Sequence, residues 1–263
     1  MNQPTMLESR KVAPDTTSLV SYIPIPGYGV LPVNAFVIHA AEPMLVDTGM
    51  SSVRTDFLRE LKSIIDPKEL RWIWITHADM DHLGNLEAVL AEAPNARVVT
   101  TYVGMAKIGL QGIALDHDYL LNPGQSLDIG DRNVLAISPP TFDAPETTGL
   151  FDQKTKTLFS ADSFGSLMAE PVENAAEISE QDLREGGSLW SSIDAPWLAL
   201  IDPVKFDKSL TTIDKLNPEV ILSSHLPVAT GMNRILLENL SEAYKAPRFV
   251  GPDQDALEQM MVA

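Results

Sequence analysis

The stretch LRWIWIT, Leu70 to Thr76, is a continuous apolar and β-prone run that ends directly in HADMDHLGN. A run of this kind reads as a strand covered on both faces, which requires a layer of structure on each side of its sheet. Its C-terminal end delivers His77, Asp79, Asp81 and His82 within six residues, so two of only five histidines share one short loop. Imidazole and carboxylate groups leaving a single strand end can converge on one point, which is the arrangement a metal ion needs. Taken singly, His82 or Asp81 would read as an ordinary polar residue capping the helix that follows. The four together point to a metal.

Composition narrows the metal chemistry. The chain has no cysteine, so disulfides, thiolate sites and cysteine-ligated iron–sulfur clusters are excluded and any ion must be held by nitrogen and oxygen. Nineteen basic against 36 acidic residues give a formal charge of −17, a field that repels phosphate backbones and anionic membranes. Neither nucleic acid nor a membrane surface is an expected partner. The start, MNQPTMLESRKVAPD, has no apolar core of signal-peptide length and no later run reaches a membrane span, so a cytoplasmic protein is expected. No shift in composition divides the 263 residues, and one domain is expected over 1–263.

Periodicity predicts a flexible polar tail to about Thr17, then strands at LVSYIPI, LPVNAFVIHA and PMLVDTG. Val53, Phe57, Leu58, Leu61, Ile64 and Ile65 fall at helical spacing behind a Ser51-Ser52 cap and before Pro67. After the histidine-rich loop come a helix at NLEAVLAEA, a strand at ARVVTT and a helix at VGMAKIGL. Two hairpins follow, QSLDI with NVLAISP and TTGLFD with TLFSAD. An acidic excursion over 168–202 carries Trp190 and Trp197, reading either as a solvated helical segment docked by its aromatics or as a lid. The chain then runs helix, strand EVILSSH ending in His225, and helix NRILLENLSEAYK.

LVDTGM, THADMDHLGN, LFSADSFG and SSHLP occur in the order and at roughly the spacing of the metallo-β-lactamase superfamily, which the chain resembles from about Leu19 to Lys245. The resemblance implies an α/β (α+β) fold, a four-layer αββα sandwich with a dinuclear metal site along one edge of its two sheets. Most hydrolases of the superfamily carry H-x-H-x-D-H, whereas here Asp79 replaces the second histidine. In the flavodiiron and oxygen-binding diiron branch that position is an acid, usually Glu, and a later aspartate lies in a segment like LFSADSFG. The chain is more similar to that branch. By position, the resemblance implies His77 and Asp79 at a first metal, Asp81, His82 and His225 at a second, and Asp162 bridging them.

The branch completes its first site with a histidine in a segment like LHWPDSM, and the local match, FDAPETT, puts Asp143 there. Asp143 is then a carboxylate substitute, or the first site is incomplete, or His117 reaches in as a reserve ligand from beside the first hairpin. Asp47, in the DTG turn, reads equally as an acceptor that orients a ligand histidine or as a turn aspartate. His39 reads as a structural or surface residue.

Four carboxylates would neutralise two divalent ions, favouring iron, or manganese, over zinc, and lowering the Lewis acidity that a metal-hydroxide hydrolase needs. The expected function is therefore a non-haem diiron protein that binds or reduces O2 or NO. A metal-dependent hydrolase of a small ester, lactone or thioester, using a bridging hydroxide, and a degenerate site with incomplete metal binding are the alternatives. Flavodiiron proteins carry an FMN-binding flavodoxin-like domain; none is expected in this chain, so either its electrons come from a separate donor or it senses the diatomic rather than turning it over. The residues indicate no oligomeric state.

Overall fold

The computed structural model describes residues 3–262. The first half of the chain runs β1 (Thr5–Met6), β2 (Arg10–Ala13), β3 (Thr16–Ile25), β4 (Gly29–Ile38), β5 (Met44–Val46), α1 (Arg54–Ile64), β6 (Trp72–Trp74), α2 (Met80–Leu83), α3 (Leu86–Glu92), β7 (Arg97–Thr100), α4 (Tyr102–Leu110) and β8 (Asp118–Leu120). The second runs β9 (Ser126–Asp128), β10 (Asn133–Ile137), β11 (Gly149–Asp152), β12 (Thr157–Phe159), α5 (Glu180–Asp194), α6 (Pro203–Asp214), β13 (Val220–Leu222), β14 (Ala229–Thr230), α7 (Asn233–Glu242) and α8 (Gln254–Val262). One sheet has the order β1-β3-β4-β5-β6-β7-β8, with β2 also on β3; the other has the order β14-β13-β12-β11-β10-β9.

Alternation along apolar strands stacks these sheets. Met44 and Val46 of β5 and Trp72 and Trp74 of β6 point between the sheets, against Val134, Leu150, Phe159 and Leu222. The intervening Leu45 and Ile73 point outward, under Phe57 and Leu61 of α1 and Leu86 and Val89 of α3. On the other sheet Leu158 and Ile221 point outward under Leu183 of α5, Phe206 and Leu210 of α6, and Leu236 and Leu240 of α7. Three apolar layers thus separate four structural ones, the αββα sandwich that the resemblance implies.

Strand direction gathers the functional loops. β5 and β6 are parallel, β12 and β13 are parallel, and β10 runs with β12 because both oppose β11. The C-terminal ends of these five strands therefore open onto one rim.

The polar start differs from expectation. Residues 5–6 and 10–13 are not a tail but short strands on the outer edge of β3. An edge strand satisfies its backbone while leaving side chains such as Lys11 in water, so it carries no apolar signature. Among the described residues no helix is long and apolar enough to cross a membrane.

Candidate metal centre

The rim brings together seven of the residues singled out in the sequence. Around one position stand Asp81, His82, His225 and one oxygen of Asp162. His82 Nε2 lies 3.5 Å from Asp81 Oδ2 and 3.2 Å from Asp162 Oδ1, and His225 Nε2 lies 3.5 and 3.3 Å from the same two oxygens. Donors each about 2.0–2.2 Å from a shared tetrahedral ion stand about 3.3–3.6 Å apart, so these edges have the size of a coordination polyhedron. His82 Nε2 and Asp162 Oδ1 are buried without a hydrogen-bond partner. In a protein interior such atoms are costly unless something else satisfies them, and a cation between them would.

The other oxygen of Asp162 faces a second group. His77 Nε2 is 3.4 Å from Asp162 Oδ2 and 3.9 Å from Asp143 Oδ1, and His77, Asp79 and Asp143 offer ligand atoms within 4.8 Å of one another. Asp162 therefore divides its carboxylate between two sets of donors. The three histidines are buried, whereas Asp79 and Asp143 are exposed, so this second group opens to solvent.

Each buried side chain is held from behind. Asp47 accepts from the Thr76 backbone N–H at 2.8 Å and from the Thr76 hydroxyl at 2.9 Å, and its Oδ2 is 2.9 Å from His82 Nδ1. His225 Nδ1 donates to the Pro32 carbonyl at 2.8 Å. A proton on Nδ1 leaves the Nε2 lone pair of either ring for an ion. Asn34, buried in β4, donates both amide hydrogens to the loop carrying His225, at Ser223 and Leu226. Asp47, Ala161 and Phe164 adopt left-handed backbone conformations, φ 58°, 50° and 67°. Non-glycine residues are rarely found there outside sites whose geometry demands it.

Burial opposes charge throughout the centre, and neighbouring charges mostly outweigh it. Taken as protein groups alone, Asp162 is held well below the usual carboxylate range, because His77, His82 and His225 overcome the cost of burial. Asp81 is lowered for the same reason by His82 and His225. Burial works against protonation of His225, but Asp162 and Asp81 push it up to about 9, and Asp81, Asp162 and Asp47 raise His82 well above its ordinary value. Asp143 is raised, by burial first and by the charges of Asp162 and Asp79, against the pull of His77.

Asp47 is thus a turn residue whose carboxylate also contacts His82 Nδ1. His117 joins none of these groups: it precedes β8, its carbonyl accepts from Val98, and β8 runs parallel to β7, so His117 sits at the far end of that strand from the rim. Its reserve role fails on that topology. His39 is exposed and hydrogen-bonds the Thr17 hydroxyl at 2.9 Å. One residue that the sequence did not single out also reaches the rim. Asp194 ends α5 within the acidic excursion and is raised to about 8, chiefly by burial and then by the charge of Asp162. The aromatics of that excursion dock it as expected: Trp190 Nε1 donates to the Asp162 carbonyl at 3.1 Å and Trp197 Nε1 to the Phe142 carbonyl at 2.7 Å.

The sequence profile described as the metallo-beta-lactamase superfamily matches residues 28–225. The chain belongs to the metallo-β-lactamase superfamily. Its relatives and structural neighbours include flavodiiron proteins. It is 27% identical to the flavo-diiron protein FprA2 of Clostridium acetobutylicum, over 75% of this chain and 49% of that one. To the nitric oxide reductase of Moorella thermoacetica it is 25% identical, over 70% of this chain and 45% of that one. The rubredoxin oxygen:oxidoreductase of Desulfovibrio gigas has the same fold, with a TM-score of 0.76 at 18% identity over 90% of this chain and 61% of that one. The chain spans about half or less of the length of the relatives it matches, and corresponds to their metallo-β-lactamase core.

Proposed function

We propose that this superfamily member holds two non-haem iron ions at the rim and binds or reduces a diatomic, O2 or NO, with electrons from a separate donor. The observation that carries this reading is the division of Asp162, with Oδ2 toward His77 and Oδ1 toward His82 and His225. In the proposal His77, Asp79, Asp143 and Asp162 hold the first ion, and Asp81, His82, His225 and Asp162 hold the second. The donor set fits such ions: buried imidazole nitrogens and carboxylate oxygens, two of them orphaned without a cation. Bound iron would supply redox-active positions for the diatomic. The chain's own part is to space the ions through Asp162, to fix the histidine tautomers through Asp47 and Pro32, and to leave the first position open beside Asp79 and Asp143. Relatives named as a nitric oxide reductase and an oxygen oxidoreductase favour a diatomic, and the carboxylate-rich donor set weakens the metal-bound water that a hydrolase would use.

Protein produced in iron-supplemented medium, assayed for metal content and by visible spectra under air and under reductant, tests the proposal. Two irons per chain with ferric absorption that responds to O2 or NO are expected. Two zincs with esterase turnover would replace it by a hydrolase, and no stable metal by a degenerate site.

A further inference from the structure

Asp194 lies outside the donor set that the family resemblance supplies, yet it is aimed at the same rim. One carboxylate oxygen from each of Asp143, Asp162 and Asp194 lies within 4.8 Å of the other two. Asp194 Oδ2 is buried with no hydrogen-bond partner, and neither has Asp162 Oδ1, whose side chain is 6% exposed. Nothing in α5 favours an anion at this point, because Asp194 is the last residue of the helix, where the dipole repels negative charge. The fold nevertheless presses α5 onto the rim. A Cβ at Gly186 would meet the Leu167 carbonyl at 2.2 Å, and one at Gly165 would meet Trp190 Nε1 at 2.5 Å, so both contacts need glycine. Of the three converging carboxylates Asp162 is buried, Asp194 partly buried and Asp143 open to solvent, and the two oxygens left without partners, on Asp162 and Asp194, would be satisfied by a cation.

We propose that Asp194 is a further oxygen ligand of the first metal position. This rests on the dinuclear reading above and goes beyond it, because it makes the two positions chemically unequal. The first would present one imidazole, His77, among the carboxylates of Asp79, Asp143, Asp162 and Asp194. The second would present two imidazoles, His82 and His225. An oxygen-rich position selects a hard cation such as Mn2+, while an imidazole-rich one accepts Zn2+ readily. The chain would therefore sort a mixture of the two.

The full chain, stripped with a chelator, is titrated calorimetrically with Mn2+ and with Zn2+, alongside Asp194→Asn, whose fold is checked by its melting curve. Wild type is expected to bind two ions. Asp194→Asn should weaken Mn2+ on the order of tenfold or more at one position and leave the other unchanged. An unchanged Mn2+ isotherm in Asp194→Asn, with two ions still bound by wild type, overturns the ligand role and leaves the dinuclear centre standing; a proton shared among the carboxylates would give this result. Wild type that binds no ion overturns both. Should the variant not fold, anomalous diffraction from wild-type crystals soaked in Mn2+ decides. An ion within about 2.2 Å of an Asp194 oxygen supports the role, and one beyond roughly 3 Å overturns it.

Discussion

Two clusters of aspartates lie at opposite ends of the sandwich, and they solve the same electrostatic problem differently. At the N-terminal end of β10, Arg132 binds Asp15 at 2.9 Å, Asp131 at 2.8 Å and Asp152 at 3.1 Å, and Lys154 binds Asp131 at 2.6 Å. Hydrogen bonds from Arg132 and Lys154 hold Asp131 well below the usual carboxylate range. No atom of Arg132, Asp131 or Asp152 is among the buried polar atoms left without a partner. At the rim carboxylates again converge, but among the described residues their ion pairs are with histidines alone, and polar atoms remain without partners. A cluster that brings its own cation is complete when folded, whereas one built of imidazole and carboxylate is, on the dinuclear proposal, completed from solution.

The largest test of that contrast is Asp162→Ala. Removing the one carboxylate shared by both donor sets should abolish loading at both positions, read as metal content and as loss of the stabilisation that excess metal gives wild type, ~2.7 kcal/mol per ion at a hundredfold excess over Kd. Retention of either ion would break the comparison. Next comes Arg132→Met, which should cost ~3–5 kcal/mol in urea unfolding, because it strands buried Asp152 without its partner, while metal content stays at the wild-type value. Asp47→Asn should be milder, weakening the second ion ~10–100-fold by removing the charge behind His82 Nδ1, with the first ion little affected.

The last test is the pH response. His225 is raised from 6.5 to about 9 by Asp162 and Asp81 acting against burial, so in chelator-treated protein its contribution to stability is full below about pH 6.5 and is lost as pH rises through about 9. The melting temperature of chelator-treated protein should fall across that window. Metal affinity should rise across it, since the ion displaces the proton. The cost of Arg132→Met should be the same at both ends of the window, because the guanidinium does not titrate there. A cost that varies with pH would blur the distinction between the clusters.

The layered fold was legible because β5, β6, β12 and β13 are short, apolar on both faces and bounded by turns. What escaped were elements that bury little: β1 and β2 at the edge of β3, the three residues of β8, and α8. The unrecognised β8 explains His117, because its strand runs with β7 rather than turning back toward Asp143. At the rim, His77, Asp79, Asp81 and His82 share one loop and declare themselves by density. Asp162 and His225 became legible by resemblance, and Asp143 by its place in FDAPETT; the structure sets Asp143 beside His77 and Asp79. Asp194 gave no signal, since one acid at the end of an acidic helix looks like its solvated neighbours. Only the packing of α5 through Gly165, Gly186 and Trp190 turns it inward.

Asn34 has a mechanical meaning. It belongs to β4 of the first sheet, yet its side chain and its backbone N–H all bind the loop that carries His225 out of the second, at Ser223, Leu226 and Ser224. Arg132, on the second sheet, likewise reaches Asp15 in the turn before β3. The sandwich is thus clasped at both ends, by a guanidinium that never leaves and by a rim whose strongest fastening, on the reading proposed here, is exchangeable. Pulled apart in the presence of a chelator, the two sheets would part first at the rim, with the Arg132 end serving as the hinge.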